Sequence, residues 1–206
     1  MSSVLSGKTL GSGMAFHGQM GWPGVSATLL GSAGSKLDLG GKFSFNYGYE
    51  GITDISTSPG TKLQGVLRLN LLERGKFNLG LRFSPGFFFY FRNLTVVGMT
   101  LPVDLVGGFQ LTPQLMLNFG VDLPMFAVFG EYGGFIVPFL VGGGLEYAID
   151  RTLGLTFNLR AGPSAPAGVG PYWNYGWYYD RWGRVIRDSL YGWPAVEAQF
   201  GLTVKL

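Results

Sequence analysis

Hydrophobic and polar residues alternate, one for one, along most of this chain. In 37–50, Leu37, Leu39, Phe43, Phe45, Tyr47 and Tyr49 share one parity, and Asp38, Lys42, Ser44, Asn46 and Glu50 share the other. In 63–71, Leu63, Leu67, Leu69 and Leu71 oppose Gln64, Arg68 and Asn70. In 77–84, Phe77, Leu79, Leu81 and Phe83 oppose Asn78, Gly80, Arg82 and Ser84. The segments 115–123 and 153–160 repeat the pattern, with Asn118, Gly120 and Asp122, then Thr156, Asn158 and Arg160, on the polar side. Period-two alternation marks a strand with two unlike faces.

Short polar turns punctuate these strands. They are Ser32-Ala33-Gly34-Ser35-Lys36, Glu73-Arg74-Gly75-Lys76, Leu111-Thr112-Pro113-Gln114 and Ile149-Asp150-Arg151-Thr152, spaced by about 40 residues. Each interval holds a strand, a connection and a returning strand. No sequence repeat accompanies the rhythm, so it reflects hairpin geometry and not a solenoid. Looser connections fall at 20–24, 50–60, 92–97, 129–134 and 163–192. Four turns and five loops predict ten strands. If Gly21-Trp22-Pro23-Gly24 fails to reverse the chain, the count is eight.

Composition sets the solvent. The 206 residues suit one domain, and they are 47% hydrophobic, 16% aromatic and only 13% charged, with 35 glycines. A soluble domain averages about 25% charged residues and about 7% glycine. Such a chain needs something other than water against part of its surface. Yet no run reaches the ~18 apolar residues of a membrane helix. In lipid, the other way to satisfy every backbone group is a closed barrel. The charged parity then belongs inside, and the apolar parity outside. No cysteine is present, so a disulfide framework, a thiol nucleophile and a lipoprotein anchor are not expected. The net charge of +3 comes with no basic cluster, so no nucleic-acid partner is expected. Met1-Ser2-Ser3-Val4 lacks the basic-then-apolar order of a signal peptide and reads as a mature start with an added Met.

The last eight residues alternate strictly, with Phe200, Leu202, Val204 and Leu206 on one face and Gln199, Gly201, Thr203 and Lys205 on the other. This strand resembles the insertion signal of bacterial outer-membrane β-barrels, with Gln199, Gly201, Val204 and Leu206 as its marker positions. That signal usually ends in Phe or Trp, and here it ends in Leu206. Together with the hairpin rhythm, the resemblance covers nearly the whole chain, at the level of small outer-membrane barrels as a class. It implies an all-β fold, an antiparallel transmembrane β-barrel forming a single domain over 1–206, in the outer membrane of a Gram-negative cell. Short turns and both termini would then be periplasmic, and long loops outside. The implied partners are outer-membrane lipid, lipopolysaccharide and, during insertion, the barrel-assembly machinery. Phe87-Phe88-Phe89-Tyr90-Phe91 reads as part of an aromatic girdle.

The inward parity carries Lys42, Arg68, Arg82 and Arg160 as cations, and Asp38, Glu50, Asp104, Asp122, Glu146 and Glu197 as anions. These charges admit two readings. One is a salt-bridged plug, since small barrels are usually filled by side chains. The other is a charged constriction that selects ions. Inward glycines at 40, 48, 80, 120, 142, 144, 154 and 201 leave space, either for water or for the long arginines. The leading expectation is a non-enzymatic, narrow, charge-lined channel or pore-like transporter without a cofactor. The alternative is a closed structural or binding barrel that works through its longest loop.

That loop, 163–192, concentrates Tyr172, Trp173, Trp177, Tyr178, Trp182 and Arg184, residue types that dominate binding hot spots. A surface ligand, lipid, glycan or protein is the expected partner. The other reading has the loop packed over the barrel mouth or lying among headgroups. Pro163 to Gly168 is expected to be extended or flexible. Tyr179 to Leu190 is expected to form a short helix, with Tyr179, Trp182, Ile186 and Leu190 on one side. His17 is the only histidine and has no partner motif, so neither hydrolase chemistry nor a metal site is expected.

Overall fold

A computed structural model describes residues 7–47, 59–91, 96–129, 134–168, 177–179, 185–187 and 193–206. Its regular elements are all strands. In chain order they are β1 (Met14–Trp22), β2 (Gly24–Gly34), β3 (Leu37–Asn46), β4 (Gly60–Arg74), β5 (Phe77–Phe83), β6 (Gly86–Tyr90), β7 (Val96–Thr100) and β8 (Val103–Gln110). Then follow β9 (Leu115–Leu123), β10 (Phe126–Val128), β11 (Gly134–Pro138), β12 (Leu140–Ala148), β13 (Leu153–Gly168), β14 (Trp177–Tyr179), β15 (Val185–Arg187) and β16 (Trp193–Lys205). β5 with β6, β7 with β8, β9 with β10, and β11 with β12 are each one crossing of the wall, interrupted once. The wall therefore has ten strands, all antiparallel to their neighbours.

The ring closes between its first and last strands. β1 and β16 pair from Ala15↔Lys205 to Trp22↔Ala198. The Leu206 amide adds a bond to the Met14 carbonyl at 2.9 Å. The first hairpin does reverse at Pro23, which settles the count at ten and not eight. Gly75, at φ 60°, supplies the left-handed residue of the β4–β5 turn, where a side chain would be strained. In the β12–β13 turn, the Asp150 carboxylate accepts from the amides of Thr152 and Leu153, each at 2.7 Å. These turns, Met14 and Leu206 all lie at one end of the barrel, the turn end.

The four interruptions run side by side. They fall at Ser84-Pro85, Leu101-Pro102 and Pro124-Met125, and at Phe139 next to Pro138. Proline cannot donate to a ladder, so each strand breaks where one stands. Bridging bonds keep the wall shut: Gly65 N–H to Pro85 C=O at 2.8 Å, Ser84 to Pro102 at 3.0 Å, and Leu101 to Met125 at 2.9 Å.

The barrel is apolar outside and polar within. Among the described residues, twenty polar or charged side chains are buried against eight hydrophobic ones. Phe43, Leu63, Phe119, Val141, Leu155 and Phe200, spread around the ring, are exposed. A soluble monomer rarely exposes an apolar patch above a few hundred Å². Here the apolar surface runs round the circumference, as a lipid-facing belt does.

The long loop is shorter than the sequence suggested. β13 continues to Gly168, pairing with β16 up to Ser164↔Trp193 and with β11 from Pro138↔Ser164 to Gly134↔Gly168. Pro163 to Gly168 is therefore wall and not free loop. The predicted helix over Tyr179–Leu190 is also corrected. Tyr179 pairs with Val185 and Trp177 with Arg187 in a small antiparallel hairpin. Aromatic and β-branched residues favour that extended pairing over a helix.

Candidate functional site: the lumen

Strand register delivers the charges to each other. Asp38 on β3 lies opposite Arg68 on β4. Arg68 binds the carboxylate through Nη2 at 2.5 Å and Nε at 2.9 Å, and both side chains are fully buried. Arg82 on β5 faces Asp104 on β8, with Nε to Oδ2 at 2.5 Å. Arg160 on β13 reaches past β12 to Asp122 on β9, with Nη1 to Oδ2 at 2.7 Å. The intervening residue of β12 is Gly142, and a Cβ there would stand 2.7 Å from Arg160 Cγ. The glycine makes room for the arginine.

Of the ten charged residues singled out from sequence, nine face the interior, and Glu50 lies outside the described residues. Glu146 and Glu197 are buried with the three pairs, Glu197 directly opposite Arg160. Lys42 is half-buried among Arg82, Arg160, Asp104 and Glu197. Burying so many charges is costly unless they are paired or wet.

Two cavities lie among these groups. One, of about 50 Å³, is lined by His17, Lys42, Gln64, Arg82, Asp104 and Arg160, among others. The other, of about 20 Å³, lies against Arg82, Asn118, Asp122, Asn158 and Arg160. A cavity of ~10–15 Å³ holds one water. The lumen thus has room for a few small molecules in two chambers, with Arg82 and Arg160 belonging to both. A third space, lined by Leu79, Leu105, Phe119, Val121 and Val141, lies on the apolar outer wall.

The turn end is crossed by a segment that the alternation did not reveal. Lys8 pairs with Glu73 at 2.6 Å, and the Thr9 hydroxyl donates to the Ser35 carbonyl at 2.9 Å. The Leu10 amide donates to both oxygens of Asp38, at 3.3 and 3.1 Å. The Leu10 side chain sits in an apolar nook of Ala15, Leu30 and Val66. Gly7 rests against Gly80 of β5 and Val106 of β8. Those strands stand across the ring from β1, so residues 7–10 form a floor across the bore.

The loop end is filled differently. Phe88 and Phe126 meet edge to face with centroids 5.9 Å apart, and Lys62 Nζ lies 5.5 Å from the Phe126 centroid. Phe87, Phe89 and Phe91 are exposed on the outer wall, as a girdle requires, but Phe88 is buried inside. Lys62 and Phe126 were not picked out from sequence, and Phe88 was assigned to the girdle and not to the bore. Parity marks two of them: Lys62 keeps step with Gln64, and Phe88 stands between two outward rings.

His17 is buried, with Nε2 3.0 Å from Thr156 Oγ1. Among the described residues no carboxylate bonds to it, and no three His, Asp or Glu side chains converge as a metal would require. Of the marker positions in the last strand, Gly201 lies against His17 and Thr156, while Leu206 is exposed at the turn end. Gln199 pairs with Gly21 and Val204 with Phe16. Trp177 and Tyr178 belong to β14; Tyr172, Trp173, Trp182 and Arg184 lie outside the described residues.

A closed antiparallel cylinder with an apolar belt and a charged bore has the architecture of a small outer-membrane β-barrel protein. No family model matches the sequence, and no curated protein is significantly similar to it. Among solved structures, it is similar to OmpT (in-vitro folded), an outer membrane protein of Vibrio cholerae, at 11% identity and a TM-score of 0.43, over 95% of this chain and 61% of that one. The trimer form of the same protein gives 11% identity and a TM-score of 0.38, over 89% and 56%. The chain therefore spans less than two thirds of the length of these neighbours.

Proposed function

We propose that the protein is a non-enzymatic outer-membrane barrel whose bore is a narrow, charge-lined conduit for small charged solutes, closed in the state described. One observation carries this reading: the bore is sealed by exchangeable ion pairs around two wettable chambers, not by an apolar core. Well-packed apolar groups fill a protein interior at no greater cost than buried ion pairs. A bore that only needed filling would have no use for three arginine–aspartate pairs, two of them beside water-sized spaces. Opening then requires three events. The floor formed by residues 7–10 withdraws, Arg82 and Arg160 exchange carboxylate partners, and the Phe88–Phe126 contact at the loop end parts.

In this reading the turn end and both termini face the periplasm, and the longer connections face outward. Lipid and lipopolysaccharide surround the belt, and the assembly machinery engages β16 during insertion. The second reading, a closed barrel acting through its surface loop, is favoured by the fact that the bore is filled at three heights. Planar-bilayer recording separates the two. We expect rare, small openings from the intact protein and markedly more frequent ones after removal of residues 1–10. Silence in both forms, with folding verified by heat-modifiable gel migration, overturns the conduit.

A further inference from the structure

We infer that the larger chamber is a binding site for a small monovalent anion of halide size. Its lining carries three cations, Lys42, Arg82 and Arg160, against one carboxylate, Asp104. That carboxylate is taken by Arg82 at 2.5 Å, and Arg160 is held by Asp122 on the far side, at 2.7 Å. Lys42 has no ion pair or hydrogen bond among the described residues, although Asp104 and Glu197 lie within electrostatic range. An ammonium group with no direct partner faces a polar chamber large enough for one halide and a water or two.

The neutral lining suits the same guest. Thr28, Ser84, Gln19 and Gln64 bring hydroxyl and amide groups to the chamber wall. Gln64 is already committed through Nε2 to the Ser84 carbonyl at 2.9 Å, which fixes its orientation. A cation entering here would meet Lys42 with the one lining carboxylate already engaged. An anion gains a charge-assisted contact with the Lys42 ammonium.

The test uses the full-length protein folded in detergent. Its melting temperature is followed in sodium chloride, bromide and gluconate at one ionic strength. Wild type should gain several degrees in the halides over gluconate, saturating with concentration, and Lys42→Gln should lose that gain. Lys42→Arg should keep it. An equal halide effect in wild type and Lys42→Gln, or none in wild type, overturns the site. If Lys42→Gln does not fold, the chloride NMR linewidth of wild type decides. Excess broadening that bromide displaces supports the site, and its absence rejects it. The outcome is independent of conduction: a silent barrel that binds chloride keeps the site and removes the conduit, and a conducting barrel without a halide effect does the reverse.

Discussion

The main-chain amide of Leu10 and the carboxylate of Asp38 are joined where the barrel floor meets β3, with Leu10 N–H donating to both Asp38 oxygens. Asp38 also anchors Arg68. One carboxylate thus ties the N-terminal segment to the bore's most deeply buried ion pair. Gly7, where a Cβ would strike the wall at Gly80, Leu79 and Val106, lets the segment lie flat. Gly7→Val should unseat it while leaving every wall residue unchanged. The expected result is faster proteolytic trimming of residues 1–10 and a conductance approaching that of the truncated protein.

Removing one member of the Asp38–Arg68 pair leaves a charge buried without its partner. Asp38→Leu or Arg68→Met alone should cost about 3–5 kcal/mol. The double variant should recover most of that loss, since the pair itself contributes little beyond an apolar filling. Urea unfolding from lipid vesicles, followed by tryptophan fluorescence, measures all three.

Val141 lies near the middle of its crossing and is 51% exposed on the outer wall. If that wall faces hydrocarbon, Val141→Arg should destabilise the folded protein by about 2–4 kcal/mol, the cost of arginine near a bilayer midplane. A change near zero in the same vesicle assay would place the position in water.

The turn at Asp150 predicts a small, localised acid sensitivity. Two backbone amides and the Thr152 hydroxyl donate to the exposed carboxylate, and they hold its pKa below the usual range. A folded-state pKa lowered in this way stabilises the fold above the unfolded value, about pH 4, and the benefit is lost as pH falls through the lowered one. Asp150→Asn keeps an acceptor oxygen but cannot titrate. Wild type should therefore lose stability relative to the variant only below about pH 4.

Faces were legible in the sequence because alternation reports them directly. Arg68, Arg82, Asp104 and Asp122 lie inside because each is flanked by residues that belong in lipid. The tight turns were legible through Gly75 and Asp150, whose chemistry is local. Pairing partners were less so. Arg68 and Asp38 meet across one ladder, but Arg160 finds Asp122 by passing a whole strand, and only the bare Gly142 between them marks the route. The floor was invisible because residues 7–10 have no period; tertiary contacts alone define them. The loop helix was misread because spacing over Tyr179–Leu190 suits a helical face, whereas local pairing with Trp177–Tyr179 sets the backbone.

The prolines at 85, 102, 124 and 138 bear on how this cylinder can deform. A closed ring of strands is stiff because every member is tied on both sides. Four consecutive crossings are interrupted at one level, so that part of the wall is two plates meeting along a crease. The plate built from β6, β7, β10 and β11 keeps its own ladders and has its own edge bonds to β4 and β13. Tied to β4 at one edge and to β13 at the other, that plate frames its side of the loop-end opening where Phe88 and Phe126 meet, so there the mouth and the collar below it are built from separate ladders.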